Sequence, residues 1–456
     1  MASKITIGNA QGFWGDSPDA PANLLRQFPE LDYLTLDYLA EVSLSILALQ
    51  RSREPETGYA RDFPEVLRSL MPLWKTGCKT RIVCNAGGLN PEACARACLK
   101  VLAEAGVSKT IGVVTGDNVL PLLQAEPGDA LYRHWETGAS VSTVIDRLMT
   151  ANAYIGAPGV CEALDAGADI VLTGRVADPS LAVGIAMHAF GWRETDYEKL
   201  AAATVAGHVL ECGTQACGGI STHWLDWPDP ANMGFPYVEL HADGAFTVTK
   251  PAGTGGAVNL ETVKEQLLYE IGDPVNYLSP DCRVDFTALQ LKPSGPNRVT
   301  VSGVAGFAPT DRYKVSATYR DGYWAQGALT IFGRDAVTKA RRCGEIVLER
   351  LARAGYTYER HNIECLGANA VVAGVLPEPP LLETVLRISV ADPRKEAIER
   401  FAKEIAPLVT SGPQGTTGYA GGRPKPTPVF AYWPCFVAKN QVHVQSRPIG
   451  PEGDTP

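Results

Sequence analysis

Over its first 220 residues the chain repeats one pattern, a short apolar run, a polar loop, and then a stretch with apolar residues three to four positions apart. The runs are Lys4–Gly8 (KITIG), Leu31–Leu36 (LDYLTL), Thr80–Asn85 (TRIVCN), Thr110–Thr115 (TIGVVT) and Asp169–Thr173 (DIVLT). Helical spacing is clearest in Pro91–Ala105, Pro179–Phe190 and Tyr197–Leu210. Such alternation predicts βαβ units, hence a mostly parallel sheet with helices on both faces.

Near residue 225 the pattern changes to strand pairs. Tyr237–His241 and Phe246–Lys250 flank Asp243-Gly244, a hairpin signal. Arg298–Val304, Tyr313–Tyr319, Ala328–Phe332, Val429–Trp433 and Val442–Val444 read as further strands, and Leu260–Ile271, entered through Asn259 as N-cap, and Ala336–Ala354 as helices. The Gly- and Pro-rich Ser411–Pro428 reads as loop. The reading is an α/β domain over 1–225 and an α+β domain with antiparallel strands over 226–456, a division that 456 residues accommodate.

Forty-one Lys and Arg against 50 Asp and Glu give a net charge of −9, with no basic run to track a phosphate backbone, so nucleic acid is not an expected partner. No apolar stretch reaches membrane-spanning length and the start lacks a leader pattern, so a cytoplasmic location is expected. The eleven Cys are scattered, never spaced as C-x-x-C, and read as reduced, buried small residues. No metal-ligand spacing and no dinucleotide fingerprint is present, and neither metal nor cofactor is expected.

Ligands of open α/β sheets bind outside the carboxyl ends of the strands. Four of the predicted strands are followed there by polar, Gly-bearing loops: Asn9 to Gly12 and on to Asp16, Asn85-Ala-Gly87-Gly88, Gly116-Asp117-Asn118, and Gly174-Arg175-Val-Ala-Asp178. Arg175 reads as a clamp for a carboxylate or a developing oxyanion, and Asp178 as a general acid or base. Without a ligand, Asp178 before Pro179 reads as a helix cap and Arg175 as its partner. The loop carrying Asn85, Gly87 and Gly88 opens a helix and offers backbone N–H groups to an anion, or is only a tight turn.

A second cluster runs from Gly207 to Gly219 and includes His208, Glu211, Cys212, Cys217 and Gly218. His208 and Glu211 share one helical face, so they read as an acid–base pair, with a helix-end hydrogen bond as the plain alternative. The thiols read as inert. A third glycine loop, Gly253 to Gly256 with Gly255, precedes the helix at 260 and offers another anion cradle or a simple cap.

With these segments laid out, the chain resembles the acyclic terpene utilisation (AtuA) family. The matching stretches are Gly8–Asp16, Asn85–Pro91, Gly116–Asn118, Ala151–Gly156, Gly167–Ser180, Gly207–Gly219 and Gly253–Gly256. The resemblance implies a place in terpenoid or branched acyl-CoA catabolism and brings no catalytic residues. Larger members continue into a ferredoxin-like domain of about 100 residues, so a separate small protein is expected to supply it here.

The expected function is hydration or dehydration of a small carboxylate or acyl-CoA, with Arg175 as clamp, Asp178 or Glu211 as acid–base group, and Asp117, Asn118 and His208 as auxiliaries. Asn9, Gly12, Asn85, Gly87, Gly88, Gly174, Gly218, Gly219 and Gly255 would hold the ligand. The alternatives are a hydrolase or isomerase at the same site, or a non-catalytic binding or scaffold subunit. A homo-oligomer is expected.

Overall fold

A computed structural model of the chain describes residues 2–377, 379–419 and 421–450. The chain forms two compact units, Met1–Thr318 with Tyr432–Pro456, and Tyr319–Ala431. The first begins with β1 (Lys4–Asn9), α1 (Ala20–Gln27), β2 (Tyr33–Leu36), α2 (Glu41–Arg53), α3 (Phe63–Lys75), β3 (Arg81–Cys84), α4 (Pro91–Glu104), β4 (Ile111–Thr115) and α5 (Leu120–Ala125). It continues through β5 (Leu148–Ala153), α6 (Pro158–Asp165), β6 (Ile170–Thr173), α7 (Ser180–Phe190), α8 (Tyr197–Glu211), β7 (Tyr237–His241), β8 (Phe246–Thr249) and α9 (Leu260–Leu268).

The five apolar runs become the parallel part of a ten-stranded mixed sheet, in the order β1, β2, β3, β6, β4. Both faces are covered, which explains why these strands do not alternate apolar with polar. Leu34, Leu36, Ile82, Cys84, Ile111, Val113, Ile170 and Leu172 join a core with α1, α3 and α4. On the opposite face Gly112 sits so close to α6 that a Cβ would meet Ala163 and Ala168, and His188 of α7 lies edge-on to Tyr33.

Because β6 inserts between β3 and β4, connections leaving β3 and β6 go to opposite faces, α4 to one and α7 to the other. The sheet therefore has a topological switch point between β3 and β6, the place in open α/β sheets where the loops leaving the carboxyl ends of the strands meet ligands. Those loops are the Asn85 and Arg175 segments.

Several strands beyond residue 225 join this same sheet. β7 pairs with β1, β8 with β7, and Arg298–Ser302 with β8, all antiparallel, while Gln445–Ile449 pairs with β4 at the other edge. The change of pattern near 225 thus marks a switch of strand direction inside one unit, and the compact second unit begins at Tyr319.

Two strand expectations change. Tyr313–Tyr319 and Ala328–Phe332 are parts of one strand, Arg312–Phe332, and Val442–Val444 precedes the strand Gln445–Ile449 rather than forming one. Asn259 caps α9 as expected, accepting from the Glu261 and Thr262 N–H groups.

In the second unit Arg360–Leu366 and Glu383–Asp392 pair antiparallel, and Glu383–Asp392 pairs with residues 323–332. Leu329, Ile331, Leu386 and Ile388 pack with Val347 and Leu351 of the helix Ala336–Arg353 and with Phe401 of the helix Lys395–Phe401.

Candidate functional site

Arg175 follows β6 and is 1% exposed, the largest fully buried side chain of the described residues. Its Nη1 donates to Asp178 Oδ1 at 2.6 Å, and its guanidinium lies 4.0 Å from the centre of the Tyr154 ring. Burial works against the charge, but Asp178 more than offsets it and Arg175 stays firmly protonated. Its backbone N–H donates to Asp117 Oδ2 at 2.8 Å, and Asn152 Nδ2 donates to the same oxygen at 2.7 Å. Gly174 is required here, since a Cβ would collide with the Asp117 carboxylate.

Asp178 does not cap α7. The helix starts at Ser180 behind Pro179, no side chain caps it, and Asp178 turns instead to Arg175. The Ser180 hydroxyl donates to Asp281 Oδ2, and Asp281 Oδ1 accepts from the Ala157 N–H at 2.8 Å before α6.

Asp37, directly after β2, is a member of the site that the sequence reading missed. Asn85 Nδ2 donates to Asp37 Oδ1 at 2.6 Å, and Asn85 Oδ1 accepts from the Tyr38 N–H. Burial, and then the charge of Asp178, push the Asp37 carboxyl well above its ordinary range, against the pull of Arg175.

At the end of α8, His208 Nδ1 lies 2.8 Å from Glu211 Oε1, and His208 rests against the rings of Tyr277 and Phe286. The other polar atoms of the pair, His208 Nε2 and Glu211 Oε2, have no hydrogen-bond partner. Burial raises Glu211 to about 7, although His208 opposes the shift. Burial lowers the His208 proton affinity, but Glu211 outweighs it and the net shift is upward. Asn9 ties this end of α8 to β1, its Nδ2 donating to the carbonyls of Leu210 and Glu211.

These groups converge on a small cavity lined by Asn9, Thr35, Asp37, Asp178 and Glu211, of ≈ 10 Å³, about the space one water needs. The sequence reading therefore named three of its polar walls, Asn9, Asp178 and Glu211, and lacked Asp37, because the loop after β2 carries no glycine.

A larger pocket of about 280 Å³ is lined by Asp117, Asn118, Gly88, Asn152 and Arg51 among others. Asp117 lines this pocket while holding the Arg175 N–H. Beside them, Tyr154 donates to Glu41, which Lys314 also approaches at 3.4 Å. Burial alone would raise Glu41, but Tyr154, Arg175 and Lys314 hold it down at about 2.

Several glycines of these loops and of α8 sit closely against other parts of the protein. A Cβ on Gly12 would meet the backbone of Cys212, one on Gly87 the Thr173 carbonyl, and one on Gly207 the Pro179 carbonyl, so these glycines let the strand-end loops and α8 close on one another. Gly218 and Gly219 pack on Trp227 and Thr214, Gly219 lining a separate pocket with Ile220 and Leu268, and Gly255 packs on the Asp229 carbonyl. Burial pushes the Cys212 and Cys217 thiols up, Cys217 to about 12, in line with inert cysteines. Among the described residues no group of three or more His, Cys, Asp or Glu is placed to hold a metal ion, and no helix is long and apolar enough to cross a membrane.

The family model described as acyclic terpene utilisation family protein AtuA matches residues 5–447. No curated protein and no solved structure matches the chain.

Proposed function

The chain belongs to the acyclic terpene utilisation AtuA family, and on that premise we propose that it is a hydro-lyase acting on a small carboxylate or acyl-CoA thioester of terpenoid or branched-chain catabolism. The observation that carries the reading is the water-sized cavity walled by Asp37, Asp178 and Glu211. Adding water to a carbon–carbon double bond beside a carbonyl needs a place for one water, a group to take its proton and a group to protonate the adjacent carbon.

In this reading a carboxylate takes one proton from the water as its oxygen bonds to the β-carbon. A protonated partner gives a proton to the α-carbon, so the product gains one water and the site returns to its starting charge. Glu211, with a proton affinity near neutrality, suits either half of the exchange. Asp178 is the second candidate, and Arg175 compensates the negative charge that builds up between them. Asp117 positions the Arg175 loop, Asn85 positions Asp37, and Asn9 positions the end of α8.

A second reading, saturable ligand binding without turnover, is favoured by one observation. A pocket large enough for an organic acid is lined by Asp117 but not by Asp178 or Glu211. The two readings separate by mass spectrometry of branched unsaturated and hydroxylated acids and thioesters after incubation. Gain or loss of one water supports the hydro-lyase, and binding without mass change supports the second reading.

A further inference from the structure

The pocket of about 280 Å³ is lined by an exposed cation that the acid–base cluster does not use. Arg51 lies in the last turn of α2. Its Nη1 donates to the Leu89 carbonyl at 2.9 Å, outside its own helix, which fixes the guanidinium at the pocket wall. The acidic neighbours that would ordinarily neutralise it are committed elsewhere, Glu54 to Arg61 at 2.6 Å and Glu56 to Arg96 at 3.0 Å. Among the described residues Arg51 has no ion-pair partner, and it is the one cationic side chain lining this pocket.

The rest of the lining divides by chemistry. Ala48, Leu89, Leu120 and Met149 are the apolar part of the lining, while Ser52, Asn118, Thr150 and Asn152 are polar. The pocket carboxylate, Asp117, already accepts from the Arg175 N–H and from Asn152, and its lining places no second acid against Arg51. A cavity of about 150 Å³ accommodates a benzene-sized ligand of roughly six non-hydrogen atoms, so this pocket has room for roughly ten to twelve.

We infer that this pocket binds the carboxylate end of a medium-length aliphatic acid, with Arg51 as the carboxylate-recognising residue and Leu89, Leu120 and Met149 as the seat of its hydrocarbon chain. The planar guanidinium fork matches a carboxylate, and a partly apolar wall strengthens the pairing relative to water. The inference goes beyond the proposed hydro-lyase reading, since neither Asp178 nor Glu211 lines this pocket, and it is tested by binding alone, so failure of the acid–base chemistry leaves it standing or falling on its own result.

The experiment is calorimetric titration of the full chain with octanoate, its neutral isostere octanamide and octanoyl-CoA. Octanoate is expected to bind saturably, octanamide at least tenfold more weakly, and Arg51→Ala to weaken octanoate at least tenfold while leaving the ligand-free melting temperature in place. Arg51→Lys should fall between, because the charge remains and the fork is lost. Met149→Trp, which adds bulk to the pocket while keeping Arg51, should also abolish octanoate binding. Equal binding of octanoate and octanamide, undiminished binding in Arg51→Ala, or Arg51-dependent binding of octanoyl-CoA with none of octanoate would each overturn the inference, the last by assigning Arg51 to the nucleotide phosphates.

Discussion

At the scale of single residues, the site is a small electrostatic system in which a buried cation is shared among acids. Asp178 is 31% exposed while Arg175 is 1% exposed, so the pair is half-screened by solvent. Removing the acid leaves a buried guanidinium with less compensation. Asp178→Asn is expected to cost about 1–3 kcal/mol, below the 3–5 kcal/mol of a fully buried pair, and to lower turnover by about 10²–10⁴-fold. Urea denaturation and steady-state kinetics of the variant check the two effects separately, and unchanged turnover would remove Asp178 from the acid–base machinery.

Glu211 sets a pH dependence whose sign follows from burial. Its folded value of about 7 lies above the ordinary 4.5, so the protonated form favours the fold. The stability it contributes is complete below about pH 4.5 and is lost as pH rises through about 7. His208 is raised by its contact with Glu211, so the two groups share this loss rather than adding to it. Glu211→Gln should therefore flatten the fall in melting temperature between pH 4.5 and 7 and remove an inflection near 7 from the pH–rate profile. A melting curve with the same slope in both proteins would contradict this assignment.

At the scale of elements, glycine spacing is what allows helix and loop to approach. Gly207 of α8 faces the Pro179 carbonyl at the start of α7, with no room for a methyl group. Gly207→Ala is expected to destabilise by about 1–3 kcal/mol through overpacking and to lower activity by displacing Glu211 one turn further on, which urea midpoint and turnover together would register. The same close approaches explain what the sequence could and could not reveal. The five parallel strands were legible because burial on both faces leaves continuous apolar runs, and Arg175, Asp178 and Asn9 because they follow those runs at the carboxyl ends. Asp37 was illegible because its loop has no glycine, and Asn152 and Tyr154 because β5 carries the mixed sequence LMTANA, with no apolar run to betray a strand. The glycines themselves were ambiguous, since a residue that admits a ligand and one that admits a neighbouring backbone leave the same letter in the sequence.

At the scale of the whole molecule, the strand-pair segment after residue 225 extends the first sheet, and a second unit with its own core occupies Tyr319–Ala431. A change from parallel to antiparallel pairing resembles a domain boundary in sequence because both alter the spacing of apolar runs. Phe401 is fully buried in the second core, so Phe401→Ala should cost that unit about 3–5 kcal/mol while octanoate binding to the first unit persists. Calorimetry in the presence and absence of octanoate checks this, and loss of binding in the folded variant would contradict it.

The central claim, that water is added or removed among Asp37, Asp178 and Glu211, is tested most directly by following isotope-labelled water into product by mass spectrometry. The substrates are branched α,β-unsaturated acids and their thioesters, in which hydration leaves the water oxygen on the β-carbon of the product. The account predicts incorporation of one labelled oxygen that disappears in Glu211→Gln and Asp178→Asn. Turnover without label, or label incorporated equally by both variants, would contradict it.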